Sequence, residues 1–151
     1  MLIKSGVQVS MTVLGPTDPK NIPYLNLLKD FVRTNKLSPY VKFLDGVPPE
    51  NLPAVYNSQE IFVNLTESGS FDKTIVEACA CGIAPLVSNK SLGSLLPAVC
   101  LTENDPLKLT ESLKTLLRPD VRVRIEKDLK KFAEENSLKN LMAKLKTEIH
   151  V

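Results

Sequence analysis

The residues of this chain best suited to chemistry lie in one stretch, "ESGSFDKTIVEACACG", from Glu67 to Gly82. A polar, glycine-containing turn there runs straight into a helical pattern. The backbone N–H groups that open a helix have no intrahelical acceptor, so they attract anions, phosphates above all. Gly69 lets the backbone approach a ligand closely, Ser68 and Ser70 offer hydroxyls, and Lys73 adds a positive charge in the first turn. Asp72 lies in the same turn, where it stabilises the helix but would repel a diphosphate unless directed away. A second account fits the same residues: Ser70 caps the helix, Asp72 suits the helix dipole, and nothing binds.

Winding the segment as a helix puts Phe71, Ile75, Ala78, Cys79 and Gly82 on one apolar face. Glu77 falls away from that stripe, one turn after Lys73. Helical geometry alone makes it a surface acid paired with Lys73, worth a few tenths of a kcal/mol. The small residues Ala78, Cys79, Ala80 and Gly82 predict close packing of the helix against a sheet.

The elements that must position this stretch alternate along the chain. "VQVSMTVLG" reads as a strand ending at Gly15 and "GPTDP" as a loop. "YLNLLKDFVRTNKL" is helical, with Leu27, Leu28, Phe31 and Val32 on one stripe. "VKFLDG" is the next strand, and "PPENLPAVYNS" a short helix that can start at its prolines. "EIFVNLT" is a third strand, "APLVS" a fourth and "AVCLTE" a fifth. From Asp105 the pattern is helical, with Asp105 as N-cap and Pro106 in the first turn; Pro119 breaks it, and one or two helices follow. Strand–helix alternation predicts an α/β fold, a doubly wound, mostly parallel sheet with helices on both faces. Residues 1–151 read as one domain, with tail helices over about 105–151.

Composition narrows the function classes. The 151 residues are 43% hydrophobic and 24% charged, as in globular proteins. A formal net charge of +2, with acids and bases interleaved in "RVRIEKDLKKFAEEN", argues against a nucleic-acid or membrane-surface partner. No apolar run approaches the ~20 residues of a membrane span. The N-terminus alternates apolar and polar residues (Val7, Val9, Met11 and Val13 around Gln8, Ser10 and Thr12), unlike the continuous apolar block of a signal peptide. Three cysteines, Cys79, Cys81 and Cys100, fit buried free thiols in a reducing compartment, so a cytoplasmic location is expected. Cys79 and Cys81 are too close for a zinc pair, and the only histidine is His150, so no metal is expected.

Taken whole, "SFDKTIVEACACGIAPLVS" resembles the donor-binding signature of retaining glycosyltransferases with the GT-B fold, in the large group-one family (family four in the sugar-enzyme classification). That run has a glutamate, a Phe-Gly-like pair, a second glutamate eight positions after the first, then Ala-small-Ala-x-Gly and a Pro-Val-Val strand. Here "FDK" stands at the Phe-Gly position, Glu77 at the second glutamate, and "ACACG" and "APLVS" follow in register. Upstream, "VSMTVLGPTDP" is similar to the family's strand and G-x-G-P loop. "VKFLDGVPPENLPAVYNSQEIFVNLTES" is similar to its Val-x-Phe-x-Gly, Leu-x-x-x-Tyr and acid-x-Phe-Val blocks. The similarity runs from Val7 to Glu103.

The resemblance implies the Rossmann-like, donor-binding half of a GT-B enzyme, holding a UDP- or GDP-linked sugar with no other cofactor and no catalytic metal. Glu77 would accept hydrogen bonds from ribose hydroxyls. Gly69, Ser70 and Thr74 flank the backbone amides of Phe71, Asp72 and Lys73, which would hold the diphosphate and sugar, and Gly46 and Val47 would lie against the base. The implied reaction is glycosyl transfer with retention, the diphosphate leaving, its charge stabilised by the helix start and a basic side chain. No catalytic residue is assigned within this chain.

Three departures accompany the match. The family's first glutamate falls on Gly69, with Glu67 two positions early, and Asp72 replaces a frequent glycine. The chain also begins after the family's acceptor domain and after a strand and helix bearing an Arg and a Lys for the diphosphate. In the doubly wound order the absent strand is the central one. Neighbouring strands closing the gap, another chain filling it, and a fragment of a longer protein are three open explanations, and the chain alone is expected to be incompetent for catalysis. The rival reading is a non-catalytic α/β domain that assembles with a separate acceptor-domain chain. An epimerase would need a histidine in the cleft, and a receiver-type domain an acidic cluster where only Asp45 stands.

Overall fold

The computed structural model describes residues 1–67 and 72–149, and its contacts divide the chain into two compact units, Met1–Leu52 and Pro53–Val151. The first is a βαβ unit. Strand β1 (Met11–Leu14) pairs in parallel with β2 (Val41–Leu44), Met11 opposite Val41 and Leu14 opposite Leu44. Helix α1 (Ile22–Thr34) connects them and is led in by a 3-10 turn whose cap, Asp18, accepts from the Lys20 N–H at 2.9 Å. The strand predicted over Val7–Gly15 is thus four residues long.

No described residue of this unit is fully buried. The stripe predicted on α1 divides: Leu28 and Val32 are half-buried, whereas Leu27 is 68% and Phe31 61% exposed. A two-stranded sheet with one helix offers too little area to cover both.

The second unit holds the core. Helix α2 (Leu52–Asn57), which begins at the boundary, leads to β3 (Ile61–Asn64); helix α3 (Lys73–Ala80) then leads to β4 (Ala84–Val87), parallel to β3 with Ile61 opposite Ala84. All four residues of β4 are buried, the pattern of a strand covered on both faces. Helices α3, α4 (Pro106–Leu116) and α5 (Pro119–Glu135) pack against it. Ile75, Cys79, Leu86, Leu116, Leu129 and Phe132 form the centre of this core. The close packing predicted for the small residues of α3 is realised at Ala78 and Cys79, both 0% exposed.

Gly82 ends α3. At φ 77° it is left-handed, and the Gly82 and Ile83 N–H groups return to the Cys79 and Ala78 carbonyls at 3.0 and 2.9 Å. This 6→1 and 5→2 closure turns the chain into β4.

Within each unit the described strands pair in parallel, β1 with β2 and β3 with β4, in the α/β class the sequence predicts. The fifth predicted strand is corrected: Ala98–Cys100 is a 3-10 turn after Pro97, and only Leu101 bridges to Val87, with the Thr102 N–H donating to the Val87 carbonyl at 2.9 Å. Proline fixes the turn and leaves too few extended residues for a ladder. The tail begins as predicted, Asp105 accepting from the Leu107 and Lys108 amides at 2.9 and 3.0 Å. It continues as two helices, α5 and α6 (Leu138–Ile149). Arg122 of α5 donates to the last-turn carbonyl of Leu116 in α4 at 2.7 Å and to Glu60 at 2.6 Å, tying the tail to the loop before β3. No described helix is long and apolar enough to cross a membrane.

All three thiols are free. Burial pushes Cys79 and Cys100 up to about 12, so neither supplies thiolate near neutral pH. Burial and the Glu77 charge also raise Cys81, but it is only partly buried. Maleimide labelling read by mass spectrometry should therefore modify Cys81 alone in the native protein and all three after denaturation. Native labelling of Cys79 or Cys100 would contradict this core.

Candidate functional site

Helix α3 starts beyond the carboxyl end of β3, the position at which parallel α/β sheets present ligand sites. Its cap is Asp72, one residue before Lys73, and not Ser70 as one of the sequence accounts had it. The Asp72 carboxylate accepts from the Thr74 N–H at 3.0 Å, from the Thr74 hydroxyl at 2.7 Å and from the Asn64 side-chain amide at 2.7 Å. Partial burial pushes its pKa up, but the bonds from Thr74 and Asn64 outweigh this and hold the carboxyl below its usual range. The Asp72 charge is thus directed onto the helix, and the Thr74 amide is spent on it. The Lys73 N–H makes no hydrogen bond among the described residues, and its ammonium is largely solvent-exposed. Gly69, Ser70 and Phe71 lie outside the described residues.

Glu77 has a second partner beyond the Lys73 pairing that helical geometry suggested. One carboxylate oxygen, Oε1, is 4.0 Å from the Lys73 ammonium, the expected one-turn pair, which is weak at this exposure. The other, Oε2, accepts from the Tyr56 hydroxyl of α2 at 3.2 Å. Burial first, and then the charge and hydrogen bond of Glu77, raise the Tyr56 pKa, so the phenol stays a donor. The Tyr56 ring meets Phe62 of β3 edge-on, centroids 5.8 Å apart at 70°. The Glu77 side chain is 37% exposed, which leaves lone pairs for a ligand.

At the carboxyl ends of β3 and β4 an open recess of about 270 Å³ is lined by Glu67, Ser88, Asn89, Lys90 and Ser91. A second recess of about 220 Å³ shares Glu67, Ser88 and Lys90 and reaches Glu103, Asn104 and Asp105. The Ser88 hydroxyl is buried and has no hydrogen-bond partner among the described residues. Asn89 caps the following 3-10 turn, accepting from the Ser91 N–H at 3.1 Å. Of the residues singled out in the sequence, Asp72, Lys73, Thr74 and Glu77 come together on α3. Gly46 and Val47 belong to the first unit, where Gly46 backs onto the loop after β1: a Cβ there would stand 3.0 Å from Pro16 Cδ.

Sequence reasoning missed Tyr56, Asn64 and the Ser88–Ser91 segment. Tyr56 carried a signal, since it occupies the Tyr of the Leu-x-x-x-Tyr block, but nothing local linked it to Glu77, 21 residues away. Among the described residues no group of His, Cys, Asp or Glu could hold a metal ion.

Comparison with known proteins bears on this geometry. Residues 2–135 match the family described as Glycosyl transferases group 1. The chain is 32% identical over 149 residues to D-inositol 3-phosphate glycosyltransferase of Corynebacterium efficiens, covering 90% of the chain and 34% of that relative. Among solved structures it is similar to Anabaena Alr3699/HepE in complex with UDP, at 18% identity and a TM-score of 0.76, covering 93% of this chain and 41% of the other. The same protein with UDP and glucose aligns equally well. The catalytic domain of cholesterol-alpha-glucosyltransferase from Helicobacter pylori aligns at 17% identity and a TM-score of 0.63, over 85% of this chain and 99% of that one. With the model matching from residue 2 to residue 135 and glycosyltransferase domains sharing its fold, the chain belongs to the group 1 glycosyltransferases and adopts the α/β architecture of their GT-B domains.

Proposed function

We propose that this chain binds the nucleotide-sugar donor of a retaining glycosyl transfer, with Glu77 on the ribose and the start of α3 on the diphosphate. The observation that carries the reading is the Glu77 carboxylate, anchored by Tyr56 yet still open to solvent, one turn into a helix at the carboxyl end of a parallel strand. An ionised carboxylate accepts only, so it suits a pair of sugar hydroxyls. Similarity to a UDP-bound structure supports the choice of UDP as first probe.

The local charges qualify the diphosphate contact. Asp72, Lys73 and Glu77 carry two negative charges against one positive, and a diphosphate adds more negative charge. The Lys73 amide, without a hydrogen bond among the described residues, and its ammonium supply the attraction, and Asp72 keeps its charge but turns it onto Thr74 and Asn64. Further cations from another segment would complete the site, and the chain spans 34% of the length of the curated relative it matches. On this reading catalysis waits on an acceptor-binding domain.

Calorimetric titration of UDP, GDP and uridine tests it. Lys73→Ala should weaken UDP several-fold while leaving uridine unchanged, and added salt should weaken UDP in the same direction. Equal loss for UDP and uridine would contradict the phosphate assignment, and no binding of either nucleotide would contradict the reading as a whole.

A second reading, a non-catalytic domain that assembles with a separate acceptor-domain chain, is favoured by one observation. The first unit leaves Tyr24, Leu27 and Phe31 exposed on α1 and buries no described residue fully. Co-purification with such a chain, without nucleotide affinity, would decide for it.

A further inference from the structure

We infer that Tyr56 is a positioning residue: its hydroxyl fixes the Glu77 carboxylate in the orientation that accepts two neighbouring hydroxyls of the ligand's pentose. This rests on the nucleotide reading above and assigns a role to a residue outside the α3 segment.

A glutamate on a helix surface has three rotatable side-chain bonds, and holding it in one pose costs rotamer entropy. Something must supply that cost before a ligand arrives, or the ligand must supply it on binding. Lys73 cannot, because its ammonium is 4.0 Å from Oε1 and almost wholly solvated. Tyr56 can. Its phenol has one proton, and the nearer acceptor is Glu77 Oε2 at 3.2 Å, against 3.5 Å to the Thr74 carbonyl. The ring that carries this hydroxyl is itself held edge-on to Phe62 of β3, so its donor is fixed relative to the strand.

The consequence is a division of labour between the two oxygens. Oε2 keeps a lone pair beyond the one Tyr56 uses, and Oε1, 4.0 Å from the exposed Lys73 ammonium, belongs to a side chain still 37% open to solvent. A carboxylate presented in this way can accept from a hydroxyl on each of two adjacent carbons. Without the phenol the same carboxylate would be free to turn toward Lys73 or water, and each ligand contact would have to reorder it.

The test compares UDP with 2′,3′-dideoxy-UDP by calorimetry on the full chain. Wild type should prefer UDP by about tenfold or more, the scale of hydrogen bonds to a charged acceptor. Tyr56→Phe keeps the ring and its contact with Phe62. In that variant the preference should shrink to about twofold or threefold, with dideoxy-UDP binding unchanged. A purely structural role would weaken both ligands together. A wild-type-like preference in Tyr56→Phe, with Glu77→Ala abolishing it, would overturn the positioning role and leave the nucleotide reading standing. Equal weakening of both ligands, or loss of the fold by circular dichroism, would also overturn it. Wild type that binds UDP without preference, or not at all, would overturn the two together.

Discussion

Glu77→Ala should lower the affinity of this chain for UDP by about ten- to a hundredfold, the value of hydrogen bonds to a charged acceptor. The substitution removes a carboxylate that accepts from Tyr56 and faces Lys73, and it keeps a good helix former at a position outside the apolar stripe. The fold should survive, because the core residues of α3 are Ile75, Ala78 and Cys79. Glu77→Gln separates the two functions of the side chain. It can still accept from Tyr56 through its carbonyl, but it offers a ligand one acceptor and one donor where two acceptors stood, so most of the loss should remain. Matched thermal melts of wild type and both variants check that binding, and not folding, has changed. Full UDP affinity in Glu77→Ala would remove the ribose assignment.

Leu86→Ala should cost about 2–5 kcal/mol in a denaturant titration, whereas Leu27→Ala should cost less than about 0.5 kcal/mol. Leu86 is fully buried in β4, with helices packed against the strand, and truncating it leaves a cavity that a close-packed core closes only in part. Leu27 is 68% exposed on α1 and loses little contact. The contrast follows from the distribution of buried residues, which among the described residues all lie in Pro53–Val151. A large cost for Leu27→Ala would mean that the apolar face of α1 is covered in solution, as the assembly reading requires.

Much of this architecture was legible because local rules and tertiary packing agree. Asp105 followed by Pro106 marks a helix start by capping chemistry alone. "APLVS" reads as a strand because both its faces are apolar, and β4 is buried throughout. The alternation of "VSMTVL" survives in β1, shortened because only four residues find partners on β2.

The errors arose where something beyond composition and periodicity decides the outcome. "AVCLTE" has strand composition, but Pro97 turns it and the ladder reaches only Leu101. The stripe on α1 has helical periodicity, yet periodicity says which face is apolar and not whether anything covers it. At the site, the choice of cap between Ser70 and Asp72 depended on Asn64, eight residues earlier, which completes the carboxylate's bonding. Helical geometry placed Glu77 correctly beside Lys73 and still undervalued it, because its stronger partner, Tyr56, comes from another helix. The family resemblance singles out Glu77 where helical geometry alone does not, and its role toward a ligand is what the titrations test.

The most direct test of the central claim is a crystal structure of the chain with UDP. A ribose hydroxyl within about 2.6–3.2 Å of the Glu77 carboxylate, with the Tyr56 contact preserved and the diphosphate against Lys73, is the predicted result. Ordered UDP elsewhere on the chain, with Glu77 bonded only to Tyr56 and water, would contradict it.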